Sequence, residues 1–419
     1  MTDTTRSASG SSSGATTGLS AEAAKASPQP GQSSEAGQSS EAGQSSEAQE
    51  IQAPETPAPK PFDGLPPVEH LGRVLRRCAE AADSAVAGHF LILTHMGPDP
   101  DAIGACEGLR LLIEKGFAFR CVVATHGRVH RAENVALLKT LDLDLHDYNE
   151  IDTSQFCGVL LVDTQPTFRH TVVPKDLPVV AVFDHHKSPS AEGDDVQAAP
   201  HQDVRIDLGA TSSIIFEYLR DMDVPVDETT ASALFCGVRY DTADLSRNAS
   251  PLDEEAFLAM FQRGDRQRIA AIDRPPLSRA YYRHVAQALS KARQHGPLVI
   301  LLMGRVENPE HVAEMADFFL RMKGCSWVVA GGAYEGGYVL SLRTDYAFGK
   351  AYPLMERVLG GVGSFGGHGH IAGGRIQLED QGMSAVKAIE RTIRKNALAV
   401  IATNDGEDSK APEGRRLDS

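Results

Sequence analysis

The chain has 419 residues, a formal net charge of −15, 42% hydrophobic and 6% aromatic residues, and six cysteines. That length allows two domains with a core each. The acidic balance argues against a protein that tracks along extended DNA or RNA, which are held mainly by cationic surface, and the lack of any run of eighteen apolar residues argues against a membrane span.

Residues 1–62 are rich in Ser, Gly, Ala, Thr, Gln and Pro, and the unit Gly-Gln-Ser-Ser-Glu-Ala repeats three times between Gly31 and Ala48. Such a segment has too little apolar surface to offset the entropy of ordering it, so it reads as a disordered leader. It lacks the apolar core of a secretory signal and the arginine content of a transit peptide. The cysteines lie far apart with no Cys-x-x-Cys pair, which suggests buried thiols in a reducing cytoplasm. Val74 to Val86 suits a helix, His89 to Thr94 a buried strand and Ala102 to Lys115 a second helix, and Phe119 to Ala124, Gly158 to Val162 and Val179 to Phe183 are further apolar strands. Continuous apolar strands separated by helices predict an α/β domain with a parallel sheet over 66–250, completed by helices near 212–220 and 228–238. Ligands of such sheets collect at the carboxyl ends of the strands. A charged helical connector is expected over 251–295. A smaller α/β domain follows over 296–400, with strands at 298–303, 327–333 and 338–343, a helix at 309–322 and the hairpin turn Tyr334-Glu335-Gly336-Gly337. A glycine-rich loop, Gly360 to Gly374, precedes its last strand and helix, and 403–419 reads as a disordered tail.

Four segment ends offer acids and imidazoles. They are His95-Met96-Gly97-Pro98-Asp99-Pro100-Asp101, Val162-Asp163-Thr164, Asp184-His185-His186 and, at a helix end, Tyr240-Asp241-Thr242. Taken singly, Asp99 and Asp101 suit a turn beside Pro98, Asp163 a helix cap, and each histidine a structural role. Taken together they suit hard divalent cations, with manganese or magnesium favoured over zinc because thiolates are missing from the set. Two such ions about 3.5–4 Å apart activate water for in-line displacement at phosphorus.

The set His95-x-x-x-Asp99-x-Asp101, Asp163-Thr164, Asp184-His185-His186 and Asp241-Thr242 resembles the DHH phosphoesterases in order and spacing, and Gly366-Gly367-His368 with Ala372-Gly373 resembles the signature of their DHH-associated C-terminal domain. The motifs run from about 88 to 376. The resemblance implies that His95, Asp99, Asp101, Asp163, His185 and Asp241 ligate two cations, Mn2+ foremost with Mg2+ or Co2+ as alternatives, and that Asp163 bridges them. It further implies that Asp184 orients a neighbouring imidazole, that His186 contacts the scissile phosphate, and that Arg343, Gly366, Gly367 and His368 grip substrate from the second domain, with the active site in the cleft between domains. Arg247, six residues past Asp241, reads as a further phosphate contact, with solvent as the alternative, and a surface ion pair is the alternative for Arg343. Pro100, Tyr240 and Ile371 depart from the pattern, where the family has smaller residues.

The function this implies is hydrolysis of short oligoribonucleotides or of 3′-phosphoadenosine 5′-phosphate. Rival readings are a cyclic dinucleotide phosphodiesterase, a RecJ-like single-strand exonuclease, and a sensor that binds nucleotides without turnover. The expected partners are a short nucleotide substrate and a second copy of the chain in a homodimer, with neither membrane nor long duplex nucleic acid.

Overall fold

The structure, a computed structural model, describes residues 61–168, 170–187, 198–345, 349–404 and 412–417. The leader expected over 1–62 lies almost wholly outside them. Among the described residues no helix is long and apolar enough to cross a membrane.

The first domain is built on six strands, β1 (His89–Thr94), β2 (Arg120–Thr125), β3 (His146–Asp147), β4 (Gly158–Val162), β5 (Val179–Asp184) and β6 (His201–Val204). They form one sheet in the order β3-β2-β1-β4-β5-β6, and every pairing is parallel. The two edge strands, β3 and β6, are too short and too polar to stand out in the sequence. Helices α1 (Pro67–Ala81), α2 (Pro100–Leu111), α3 (Ala132–Leu141), α4 (Thr211–Asp221) and α5 (Glu228–Asp241) cover one face, where Leu71, Leu75, Leu109, Ile214 and Leu234 pack on Phe90, Ile92, Leu160 and Phe183. On the other face Tyr148, Ile151, Phe156, Val173 and Leu177, from irregular connections, pack on Leu91, Leu93, Val159 and Leu161. The strand order reverses between β1 and β4, so their carboxyl ends flank the crevice where open parallel sheets bind ligands.

The connector expected over 251–295 divides between the two domains. Helices α6 (Pro251–Arg263) and α7 (Arg266–Asp273) belong to the first core through Ala256, Met260, Ile269 and Ile272. Phe257 and Phe261 pack 4.8 and 5.1 Å from the Phe235 ring of α5. Their charged outer faces mask this apolar stripe in a reading by composition. Helix α8 (Arg279–Lys291) and β7 (Arg293–His295) join the second core through Ala288 and Ala292.

The second domain continues through β8 (Leu298–Arg305), α9 (Glu310–Leu320), β9 (Trp327–Tyr334), β10 (Gly337–Thr344), α10 (Ala351–Leu359), β11 (Ser364–His368), β12 (Ile371–Gln377), α11 (Met383–Asn404) and β13 (Arg415–Arg416). Its sheet runs β11-β12-β10-β9-β8-β7-β13, with β8 and β9 parallel and the other pairs antiparallel. Helices α8 and α9 pack on one face, α10 and α11 on the other. Two expectations need correction. The glycine-rich stretch 360–374 is mostly an antiparallel hairpin of β11 and β12, because glycines that suggest a loop also allow tight strand pairing. Within the tail, Arg415 and Arg416 pair with β7, and the Pro412 carbonyl lies 2.9 Å from His295 Nδ1.

Candidate metal centre

Each expected ligand stands where a strand or helix ends. His95 follows β1, Asp163 follows β4, Asp184 ends β5 ahead of His185 and His186, and Asp241 ends α5. Asp99 caps α2, accepting from the amides of Asp101 and Ala102 at 3.0 Å each, which leaves its second oxygen uncommitted to the helix. Pro100 occupies the first helical turn, where its missing N–H costs nothing, so this departure from the family pattern preserves the ligand geometry. Asp101 is gripped through both oxygens by the first amides of α4, Thr211 at 2.7 Å and Ser212 at 2.9 Å. Such amides form a natural seat for a carboxylate.

The ligand atoms converge. One each from His95, Asp99 and Asp163 lie within 4.8 Å of one another, as do those of Asp101, His185 and Asp241, and those of Asp163, His185 and His186. Asp163 is the carboxylate shared by two of these groups, as His185 is the shared imidazole: Asp163 Oδ2 lies 3.4 Å from His95 Nε2 and Oδ1 lies 3.7 Å from His185 Nε2. Its backbone is in the left-handed region, φ 56°, where a non-glycine residue carries strain. Thr211 Oγ1 donates to Asp163 Oδ1 at 2.8 Å and the Asp163 amide to the Phe183 carbonyl at 2.8 Å.

The imidazoles are aimed by their outer nitrogens. His95 Nδ1 sits 3.1 Å from the Met96 carbonyl and His185 Nδ1 3.3 Å from the Leu208 carbonyl, so each donates outward and turns Nε2 to the carboxylates. His185 Nε2 is buried and lacks an aligned hydrogen bond even though Asp241 Oδ2 lies 3.1 Å away. A buried nitrogen that lies among carboxylate oxygens without an aligned hydrogen bond is the feature a cation would satisfy.

Electrostatics say the same. Burial raises the Asp99 carboxyl to about 6, with the Asp241 and Asp163 charges adding to it, and burial beside Asp163 holds Asp101 well above the usual carboxylate range. Burial works to raise Asp163 also, but the hydrogen bond from His95 and the charges of His186 and His185 hold it well below that range. Burial would lower the imidazoles, yet Asp163 holds His95 up at about 9, and Asp241 with Asp163 holds His185 up at about 11. Protons thus balance the acids, and dications would compete for the same places.

Asp184 accepts from the His186 amide at 3.1 Å and pairs with its Nδ1 at 2.9 Å, so it orients His186. Gln165 clamps both, donating to Asp184 Oδ2 at 2.7 Å and to the His186 carbonyl at 2.8 Å. Gln165, Thr211 and Ser212 escaped the sequence reading: they carry no charge, and two of them act through backbone amides that any residue type supplies.

The expected substrate-gripping residues stand differently. Arg247 donates through Nε and Nη2 to the Asp241 carbonyl at 2.9 and 2.6 Å, closing the end of α5, where phosphate or solvent was expected. Arg343 Nε donates to Asp317 Oδ1 of α9 at 2.6 Å and Nη1 to Ser341 Oγ at 2.7 Å, the ion-pair alternative. Strand register nevertheless aligns Arg343 with Ile371, and Ile371 with His368. The His368 side chain lies outside the described residues. Gly367 has φ 154°, and a Cβ there would stand 2.6 Å from Ala372 Cα, so only glycine fits; Gly366 faces open space. Tyr240 accepts from Arg131 Nη1 at 2.7 Å.

Two family models match the chain, one described as DHH family, N-terminal domain, over residues 89–238 and one as DHHA1 domain over residues 295–395. The chain is 28% identical to the uncharacterized protein MJ1633 of Methanocaldococcus jannaschii over 341 residues, 79% of this chain and 68% of that protein. To MJ0988 of the same organism it is 26% identical over 160 residues, 37% of this chain and 46% of that protein. Among solved structures, an exopolyphosphatase-related protein from Bacteroides fragilis shares the fold, with TM-score 0.60 and 16% identity over 80% of this chain and 98% of that chain. RecJ from Thermus thermophilus in complex with Mg2+ is also matched, at TM-score 0.35 and 13% identity over 77% of this chain and 52% of that chain.

Proposed function

The chain belongs to the DHH family of phosphoesterases, metal-dependent hydrolases, and on that premise we propose that it hydrolyses short oligoribonucleotides and 3′-phosphoadenosine 5′-phosphate with manganese. The observation that carries the reading is the shared carboxylate, since Asp163 turns Oδ2 towards His95 and Oδ1 towards His185. In this reading His95, Asp99, Asp101, Asp163, His185 and Asp241 hold two cations. Bound there, the pair supplies an acidified water and neutralises charge developing at phosphorus. A mixture of imidazole and carboxylate suits Mn2+, with Mg2+ or Co2+ as substitutes.

His186, fixed by Asp184, donates to the scissile phosphate. Arg343 exchanges Asp317 for a substrate phosphate, a stronger bidentate partner for guanidinium, and the β11–β12 hairpin with Gly366, Gly367 and His368 takes the remote end of the substrate across an interdomain cleft. The acidic chain favours short substrates over polyanions, and the six unpaired cysteines fit a cytoplasmic setting. Turnover of 5′-pApA, longer RNA, 3′-phosphoadenosine 5′-phosphate and cyclic di-AMP with Mn2+ tests the reading. Preference for 5′-pApA and 3′-phosphoadenosine 5′-phosphate supports it, faster cleavage of cyclic di-AMP or long RNA reassigns the substrate, and tight binding without turnover makes the chain a sensor.

A further inference from the structure

Two cysteines outside the metal centre meet at the amino-terminal edge of the first sheet, the end opposite the ligands. Cys78 lies in the last turn of α1, and Cys157 immediately precedes β4. Cys78 Sγ donates to the Cys157 carbonyl at 3.2 Å. A carbonyl oxygen stands about 2.4 Å from its own Cα by ordinary backbone dimensions, so the Cys78 sulfur already lies beside the Cys157 backbone. Gly158 lets the sulfur approach the start of β4 this closely, since a Cβ there would stand 3.1 Å from it and 2.9 Å from Val180 Cγ1. Both cysteines are unpaired; Cys157 is buried and Cys78 partly exposed, which gives a small oxidant a way in.

The remaining thiols are different. Burial pushes Cys121 and Cys236 up to about 12 and Cys325 up to about 11, and raises Cys106 well above its ordinary value. Within the pair the hydrogen bond from Cys78 instead pulls the Cys157 thiol down to about 7 while Cys78 is raised, so the thiolate, the nucleophilic form, gathers on Cys157 at neutral pH.

We propose that Cys78 and Cys157 form a redox modification site, at which hydrogen peroxide converts the pair into a reversible disulfide tying α1 to the start of β4. The Cys157 thiolate attacks one peroxide oxygen, the O–O bond breaks, and hydroxide leaves to give the Cys157 sulfenic acid. The Cys78 thiol then attacks the sulfenic sulfur, the S–O bond breaks, and the leaving oxygen departs as water with the Cys78 proton. Two thiols and one peroxide become one disulfide and two waters, with sulfur losing the two electrons that peroxide gains. The closed loop contains β1 and α2, hence His95, Asp99 and Asp101, so the bond restrains the segment that carries half of the six expected ligands and stabilises the fold.

The test exposes the reduced full-length chain to hydrogen peroxide at neutral pH. The titratable thiols are expected to fall by two, a digest to yield one peptide linked through Cys78 and Cys157, the melting midpoint to rise, and dithiothreitol to reverse all three. Cys78→Ser, whose hydroxyl keeps a donor beside Cys157, should stop at a Cys157 sulfenic acid that dimedone captures, and Cys78→Ala, which removes the donor, should give the same adduct more slowly at neutral pH. Mapping that finds both residues as unlinked thiols after treatment overturns the proposal, as does a link that forms only when the chain is first unfolded in denaturant.

Discussion

Replacing Gly237 with alanine probes how far the metal centre depends on the approach of α5 to α2 and α4. A Cβ at this position would overlap Ser212 Oγ and stand 3.1 Å from both the Cα and Oδ1 of Asp101. Helix propensity favours the alanine by about 0.8–1 kcal/mol. Against that, overpacking a close-packed site costs about 1–3 kcal/mol. Ser212 can swing aside only by giving up its 3.2 Å bond to the Asp101 carbonyl, which costs about 1 kcal/mol more. The backbone of Asp101 cannot move without disturbing α2, so the net loss is about 1–3 kcal/mol, a melting point lower by several degrees. Asp101 would also shift from the Thr211 and Ser212 amides, and displacement of a support this close to a ligand lowers metal affinity by about 10- to 100-fold. Calorimetric titration with Mn2+ beside a thermal melt reads both effects, and adding Ser212→Ala should restore part of each. A Gly237→Ala chain that binds Mn2+ as tightly as the parent and melts no lower would refute the claim that helix packing holds Asp101 in place.

Asp163→Asn should lower turnover by about a thousandfold or more, through the several kcal/mol supplied by a metal pair, while circular dichroism and the melting point show an intact fold because Thr211 can still donate to the amide oxygen. Cation affinity should rise with pH, because His95 at about 9 and His185 at about 11 must shed protons to ligate. The gain is about tenfold per pH unit for each proton displaced, read by Mn2+ titration between pH 6 and 8, and a flat profile contradicts it. His201 is fully buried between His70 Nδ1 at 2.9 Å and the Tyr218 hydroxyl at 2.8 Å, and burial lowers its pKa to about 4. The unfolded chain protonates this group near 6.5, so it binds more protons than the fold between those values, and stability falls as pH drops across that window by about 1.4 kcal/mol per unit, about 3 kcal/mol in all. Denaturant unfolding at successive pH values checks this, and His201→Gln should flatten the slope.

The α/β class, the parallel sheet and the four segments that carry the candidate ligands were legible because each rests on local chemistry. Runs such as residues 90–93 and Gly158–Val162 are apolar throughout because both faces of their sheet are covered, and the acids and imidazoles follow closely where those strands stop. Charge kept α6 and α7 from being read as part of the first core, and glycine content made the β11–β12 hairpin look like a loop; in both cases composition reports the exposed or flexible side of an element and not what it packs against. Strand order, which seats His95 and Asp163 side by side, the seating of Asp101 on the α4 amides, and the diversion of Arg247 and Arg343 into bonds with Asp241 and Asp317 were decided by tertiary structure alone. Residue type shows what a side chain can donate, accept or ligate. Which partner it meets depends on backbone groups and distant neighbours brought together only by folding.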